Sequence, residues 1–169
     1  MIVLLIALVA GGCKKKITQF YMDYTSEVTI SSTVGQLVPF SLYTPEMTTN
    51  SEFEFESNNT RKENINSIYL KELKLTITSP PGETFSFLNS IEIFISSPQH
   101  SEQKVAFKSS IPASAGNQLT CDVVDLDLQE FIKDDRFTLR IKTVTDETIP
   151  QDVDVEVYTN FFVDAKIFK

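Results

Sequence analysis

The chain has 169 residues, a formal net charge of −8 and two cysteines. This is the length of a single domain, and a chain of this size buries about 68–70% of its unfolded surface, so it needs no disulfide to hold a core. The acidic balance argues against a nucleic-acid partner, which requires a basic footprint.

The chain begins with an apolar run over residues 2–10, which leads into Gly11-Gly12-Cys13 and three lysines. An export signal combines an apolar core of about 7–15 residues with small residues before the cleavage site. A membrane-spanning helix needs about 20 apolar residues, which this run does not supply. A buried first strand is the remaining alternative, but Gly-Gly-Cys-Lys-Lys-Lys is a poor continuation of a strand.

The segment resembles the lipobox of bacterial lipoproteins, in which small residues precede a Cys. The resemblance implies that residues 1–12 are removed, that Cys13 receives a diacylglycerol and an acylated amine, and that residues 13–19 form a tether. One domain then spans residues 20–169. Two or more acyl chains anchor a protein stably, whereas one is marginal, and the lysines at 14–16 add attraction to anionic headgroups.

The chain as a whole is similar to the small envelope lipoproteins of the Bacteroides type, with a short signal ending in Cys before one acidic β domain. The resemblance implies that the protein is held at the lipid bilayer, in the outer membrane, through acylated Cys13. An envelope protein or a glycan is the further partner that such an anchored domain would bind. Lysines rather than acidic residues follow Cys13, which favours the periplasmic side over the cell surface.

After the tether the dominant hydrophobic period is two, the period of a strand with one buried face. Residues 153–167 alternate most clearly, and only Tyr158 and Phe162 interrupt the polar face. Because this stretch is long for a strand, we expect a bulge near Thr159-Asn160. Further strands are predicted at residues 20–24, 28–30, 37–42, 53–55, 68–77 with a phase slip at Lys71-Glu72, 91–95, 105–107, 119–123 and 137–141. The polar residues 57–66 are predicted to form an exposed loop.

One segment has a helical period instead. Leu128, Phe131 and Ile132 are spaced i, i+3, i+4, which predicts a short helix near residues 126–133, with Asp127 as its cap and Glu130 three residues further on. About eight or nine short strands separated by Pro- and Gly-containing turns predict an all-β fold, an antiparallel immunoglobulin-like β-sandwich. A lipocalin-like β-barrel is the alternative.

The sequence offers few residues for catalysis. With Cys13 lipidated, Cys121 has no disulfide partner and lies in phase with Leu119 and Val123, so we predict a buried thiol. The single His, His100, lies in a turn and would need a nucleophile and a carboxylate from other loops to act as a base. Zinc sites need several His or Cys ligands, and the Asp clusters lack EF-hand spacing. We therefore expect no enzyme, no metal and no cofactor.

The sequence thus predicts a non-enzymatic interaction, adhesion or accessory-complex module of the bacterial cell envelope. The alternative is a lipoprotein that binds a glycan or a small apolar molecule, with Tyr21, Tyr24, Tyr43 and Phe94 as candidate ligand-binding residues. Sugar rings stack on aromatic side chains, and the absence of Trp weighs against the glycan. An enzyme would require His100 or a pair of carboxylates in a cleft.

Overall fold

The structure is a computed structural model that describes residues 17–167. The predicted signal, Cys13 and the lysines at 14–16 lie outside these residues. The described chain contains ten strands and two short α-helices: β1 Ile17–Ile30, β2 Phe40–Tyr43, β3 Met47–Thr48, α1 Ser51–Ser57, β4 Ile65–Ser79, β5 Leu88–Ser96, β6 Gln103–Lys108, β7 Gln118–Thr120, β8 Asp122–Val123, α2 Gln129–Lys133, β9 Arg136–Thr145 and β10 Val153–Lys166. Strand β1 thus begins three residues before the predicted domain boundary, inside the predicted tether.

The strands form two antiparallel sheets. The first sheet has the order β1-β10-β4-β7, and the second has the order β2-β9-β5-β6-β8, with β3 also paired to β9. Over residues 17–167 the sheets do not close into a barrel. The predicted β-sandwich is therefore confirmed and the lipocalin-like barrel is wrong. No helix in this part of the chain is long and apolar enough to cross a membrane.

Strand β10 is an interior strand of the first sheet. It pairs with β1 along its whole length on one side and with β4 on the other. Its alternation is unbroken, so every second residue from Val153 to Ala165 is buried. Thr159 is the polar residue in that row, and its hydroxyl donates to the Tyr24 carbonyl at 3.3 Å. This hydrogen bond offsets the cost of burying a hydroxyl.

The irregularities in the pairing of β10 with β4 all lie on β4. Asn160 is opposite Glu72 and Phe161 is opposite Leu70, so Lys71 is an extra residue in β4. The phase slip predicted at Lys71-Glu72 is this bulge. The bulge that we predicted on β10 lies at the same level of the sheet but on the neighbouring strand, which leaves β10 regular.

The prediction of a strand at residues 53–55 is wrong, because these residues belong to helix α1. Phe55 is fully buried and contacts Phe20 with a ring separation of 6.3 Å, whereas Phe53 is 70% exposed. Two residues that are two positions apart share a face on a strand but lie about 200° apart around a helix. Opposite burial of the two rings is therefore what a helix requires.

Two strand predictions have the wrong extent. The strand predicted at 37–42 begins only at Phe40, since Leu37 is exposed and has a positive φ of 57°. The strand predicted at 119–123 is divided at Cys121, because β7 pairs with β4 in the first sheet and β8 pairs with β6 in the second. Val123 consequently leaves the row of buried residues and is exposed.

Helix α2 is shorter than predicted and begins at Gln129, with Leu128 as its N-cap. The Asp127 carboxylate accepts from the Gln129 amide at 3.1 Å and from the Ile68 amide of β4 at 3.0 Å. Asp127 therefore stabilises the start of the helix and joins it to the first sheet. Glu130 does not complete a capping box, since its carboxylate faces His100 instead.

Candidate functional site

The space between the two sheets is filled by side chains. A pocket there has a volume of about 10 Å³ and is lined by core residues that include Val28, Leu75, Phe85 and Ile141. This is roughly the space that one water molecule occupies, whereas ligand pockets measure about 300–1,000 Å³. A small apolar ligand therefore has no room at this place in the core.

Two of the four aromatic candidates lie on the outer face of the second sheet. Tyr43 and Phe94 are both cross-strand partners of Arg140. The Arg140 guanidinium lies 4.2 Å from the centre of the Phe94 ring and forms two hydrogen bonds of 2.8 Å with Glu102. These hydrogen bonds lower the pKa of Glu102. The Phe94 ring face is thus already covered, and only Tyr43, which is 65% exposed, is free for a ligand.

The third candidate, Tyr24, belongs to the core. Its ring makes edge contacts with Phe137 at 5.2 Å and with Phe161 at 5.8 Å. Its hydroxyl donates to the Thr49 carbonyl at 2.8 Å. Burial, together with the charge of Glu54, raises the pKa of Tyr24 well above its usual range. Tyr24 therefore links the two sheets rather than presenting a ring to a ligand.

The fourth candidate, Tyr21, lies on the outer face of the first sheet and is 59% exposed. Its ring centre lies 5.4 Å from that of Phe162, and Phe162 is in turn opposite Tyr69 on β4. The Lys71 ammonium lies 5.3 Å from the Tyr69 ring and 5.6 Å from the Phe162 ring, a distance at which cation–π attraction operates. We call Tyr21, Phe162 and Tyr69 the aromatic strip.

A groove lies beside Tyr21 at the edge of the first sheet. It has a volume of about 360 Å³, and four consecutive residues of β1, from Tyr21 to Tyr24, line it together with Thr48, Thr49, Asn50 and Glu54. Consecutive strand residues point to opposite faces, so a groove that touches all four runs along the backbone edge of the strand. We call it the edge groove.

His100 lies in the turn between β5 and β6. Its Nδ1 is 3.2 Å from both Ser97 Oγ and Asp134 Oδ2, and its Nε2 is 3.5 Å from Glu130 Oε2. In a catalytic triad the nucleophile contacts Nε2 and the carboxylate contacts Nδ1, whereas here Ser97 and Asp134 share Nδ1 and a second carboxylate, Glu130, lies beside Nε2. The ring also contacts Phe131 at 5.6 Å. This cluster joins the turn to α2, and His100 and Glu130 line a cleft of about 440 Å³.

Cys121 is buried, as predicted. Burial raises the pKa of its thiol to about 12, so the side chain stays protonated and unreactive near neutral pH. Within residues 17–167, no group of three or more His, Cys, Asp or Glu side chains is arranged to hold a metal ion.

The sequence did not identify the members of the aromatic strip other than Tyr21. Phe162 interrupts the polar face of residues 153–167, and this interruption was the sequence signal for an outward-facing aromatic residue. Tyr69 alternates with the buried Ile68 and Leu70, but the sequence does not show that β4 lies beside β10 and places Tyr69 opposite Phe162.

Comparisons with known proteins add no functional assignment. No protein-family model matches the chain, and no curated protein matches its sequence. Among solved structures, that of the empty head of Turnip Yellow Mosaic Virus is similar, with 12% sequence identity, coverage of 100% of this chain and 90% of that chain, and a TM-score of 0.28. A TM-score this low supports no conclusion about fold or function.

Proposed function

We propose that the chain is a non-enzymatic interaction module of the bacterial cell envelope, held at the membrane by lipidated Cys13 and binding its partner through the outer surface of the first sheet. The observation that carries the proposal is the contrast between a filled interior and the outer aromatic strip, in which Tyr21 is exposed and Phe162 and Tyr69 are half-buried, beside an open groove. Exposed aromatic side chains are enriched at recognition surfaces, where they supply contact area at a small entropic cost.

The position of β1 also supports the proposal. Ile17, where β1 begins, is four positions after Cys13, and an extended chain spans at most about 3.3–3.6 Å per residue. With Cys13 in the bilayer, the start of β1 lies within about 14 Å of it. A partner that binds along β1 would therefore be held close to the membrane.

Photo-crosslinking in cells tests this proposal. A photoreactive amino acid is placed at position 21 on the first sheet or at position 43 on the second, since both side chains are exposed. We expect one discrete adduct with an envelope protein from position 21, and its loss in the Cys13→Ser variant. Absence of an adduct from both positions in the anchored protein would contradict an interaction module.

A glycan-binding lipoprotein is the second candidate. The edge groove favours it, because Asp23, Asn50 and Glu54 surround the groove beside the exposed Tyr21 ring, and polar groups around one aromatic ring can bind a sugar. A glycan array probed with the wild type and with Tyr21→Ala distinguishes the candidates. Binding to one glycan class that Tyr21→Ala abolishes, without a protein adduct, would favour the glycan.

A further inference from the structure

The two edges of the first sheet differ in how their backbone groups are paired. On the side of the short β7, the backbone of β4 is paired at several points along its length. The Ile68 carbonyl accepts from Leu128 N at 2.7 Å, the Leu73 carbonyl accepts from Cys121 N at 2.9 Å, and the Ile77 amide donates to the Asn117 carbonyl at 2.9 Å. The Asp127 carboxylate accepts from the Ile68 amide. On this side the β4 backbone is therefore paired, and the strand at the edge is β7, with three residues.

The opposite edge is open. Strand β1 has 14 residues, and within residues 17–167 its only strand neighbour is β10. No backbone hydrogen bond joins the outer edge of β1 to another element in that part of the chain. A long free edge is a template for pairing with a strand of another protein, and added strands are a recurring mode of peptide recognition. The edge groove lies along this edge at residues 21–24.

The charge at this edge indicates what kind of strand would pair with it. β1 and β10 carry five acidic residues, which within residues 17–167 form no ion pair: Asp23, Glu27, Asp154, Glu156 and Asp164. Glu27 and Glu156 are direct cross-strand partners, an arrangement of like charges that is destabilising. A strand that brings a cation to this position would relieve the repulsion.

A second copy of the same chain fits this edge poorly. Pairing β1 with another β1 would bring two acidic strands together, because β1 has Asp23 and Glu27 and no basic residue. The added strand must therefore come from a protein that has basic residues in an extended segment.

We propose that an extended basic segment of a partner protein adds to the free edge of β1 as an antiparallel strand, with Lys or Arg opposite Asp23 and Glu27 and an apolar side chain beside Tyr21. This proposal rests on the proposed function and specifies the chemistry of the partner segment. Asp23, Glu27 and Tyr21 all lie on the outer face of β1. The partner therefore has two basic residues four positions apart, followed two positions later by an apolar residue.

The probe is the synthetic peptide Thr-Val-Lys-Val-Thr-Val-Lys-Val-Phe-Val-Thr, which follows this pattern, and its affinity for the full-length protein is measured by fluorescence anisotropy. A scrambled peptide with adjacent lysines is the control. Two further peptides carry backbone N-methyl groups. The first peptide is methylated at every Val residue, and the second is methylated at every residue other than Val. Because N–H groups alternate between the two edges of a strand, we expect one methylated peptide to bind like the unmodified peptide and the other to lose binding.

Charge reversal tests the register. Glu27→Lys should weaken peptide binding roughly three- to tenfold, as expected from reversing one exposed charge pair. The matched variant Glu147→Lys, in the exposed loop between β9 and β10, should bind like the wild type. Equal affinity of the two methylated peptides, no preference over the scrambled peptide, or equal effects of the two variants would overturn strand addition.

Self-association is measured in parallel by sedimentation. A dimer that competes with the peptide would show that a second copy occupies the edge and would overturn the proposal of a basic partner. Failure of strand addition at β1 can be distinguished from failure of the proposed function. An adduct in cells from position 43 alone would leave the interaction module intact while excluding the β1 edge, whereas no adduct from either position would reject the module itself.

Discussion

Replacement of Phe161 and of Phe162 by Ala should have very different effects on stability, although the two residues are neighbours in β10. Phe161 is 1% exposed and its ring lies 5.8 Å from Tyr24 and 6.0 Å from Phe137, which belongs to the second sheet. Truncation of a buried Phe to Ala costs about 3–5 kcal/mol, to which lost aromatic pairs contribute about 0.5–1.5 kcal/mol each. We expect Phe161→Ala to lower the free energy of unfolding by about 4 kcal/mol.

Phe162 serves as the matched control on the other face of the strand. Its half-buried ring contacts Tyr21 and Lys71 on the outer surface, so we expect Phe162→Ala to cost about 1 kcal/mol. Urea unfolding followed by circular dichroism measures both values. Because about 4 kcal/mol is a large part of a domain's stability, Phe161→Leu is included as a milder variant. Equal costs at the two positions, or a larger cost at Phe162, would refute the register of β10, since a slip of one residue exchanges the two faces.

Two further predictions concern single polar groups. Asp127→Ala removes the acceptor of the Ile68 and Gln129 amides and should cost about 1–3 kcal/mol in urea unfolding, whereas Ala at the exposed Asp125 should change stability by less than about 0.5 kcal/mol. Burial raises the Cys121 pKa to about 12, so the folded thiol keeps a proton that the unfolded thiol loses above about pH 8.5. Stability should then fall by about 1.4 kcal/mol per pH unit between these values, and Cys121→Ala should remove this contribution; an unchanged slope would contradict it.

The hydrophobic period predicted most of the sandwich because one face of each long strand is buried. The alternation from Val153 onward defines β10, and the phase slip at Lys71 marks a real bulge. The local hydrophobic pattern predicted the wrong secondary structure where burial depends on residues that are distant in sequence. Phe53 and Phe55 satisfy a strand pattern over three residues, yet only Phe55 meets a partner in the core, which fixes a helix there.

The candidate site was harder to predict, since the sequence does not say which strand lies at an edge. Tyr21 and Tyr24 are the same residue type on the same strand, but they lie on opposite faces of β1. Tyr21 is therefore in solvent, whereas Tyr24 contacts Phe137 and Phe161. Tyr43 lies on the other sheet, so the four aromatic candidates do not converge on one site.

The mass and location of the mature chain test the account's central claim, a domain anchored through Cys13, most directly. The protein is produced in a bacterium that processes lipoproteins, cells are separated into membrane and soluble fractions, and the N-terminal peptide is analysed by mass spectrometry. We expect a membrane-bound chain that begins at Cys13 and carries acyl chains, and a Cys13→Ser variant that lacks both features. A wild-type chain that retains residues 1–12 and carries no lipid would contradict the account.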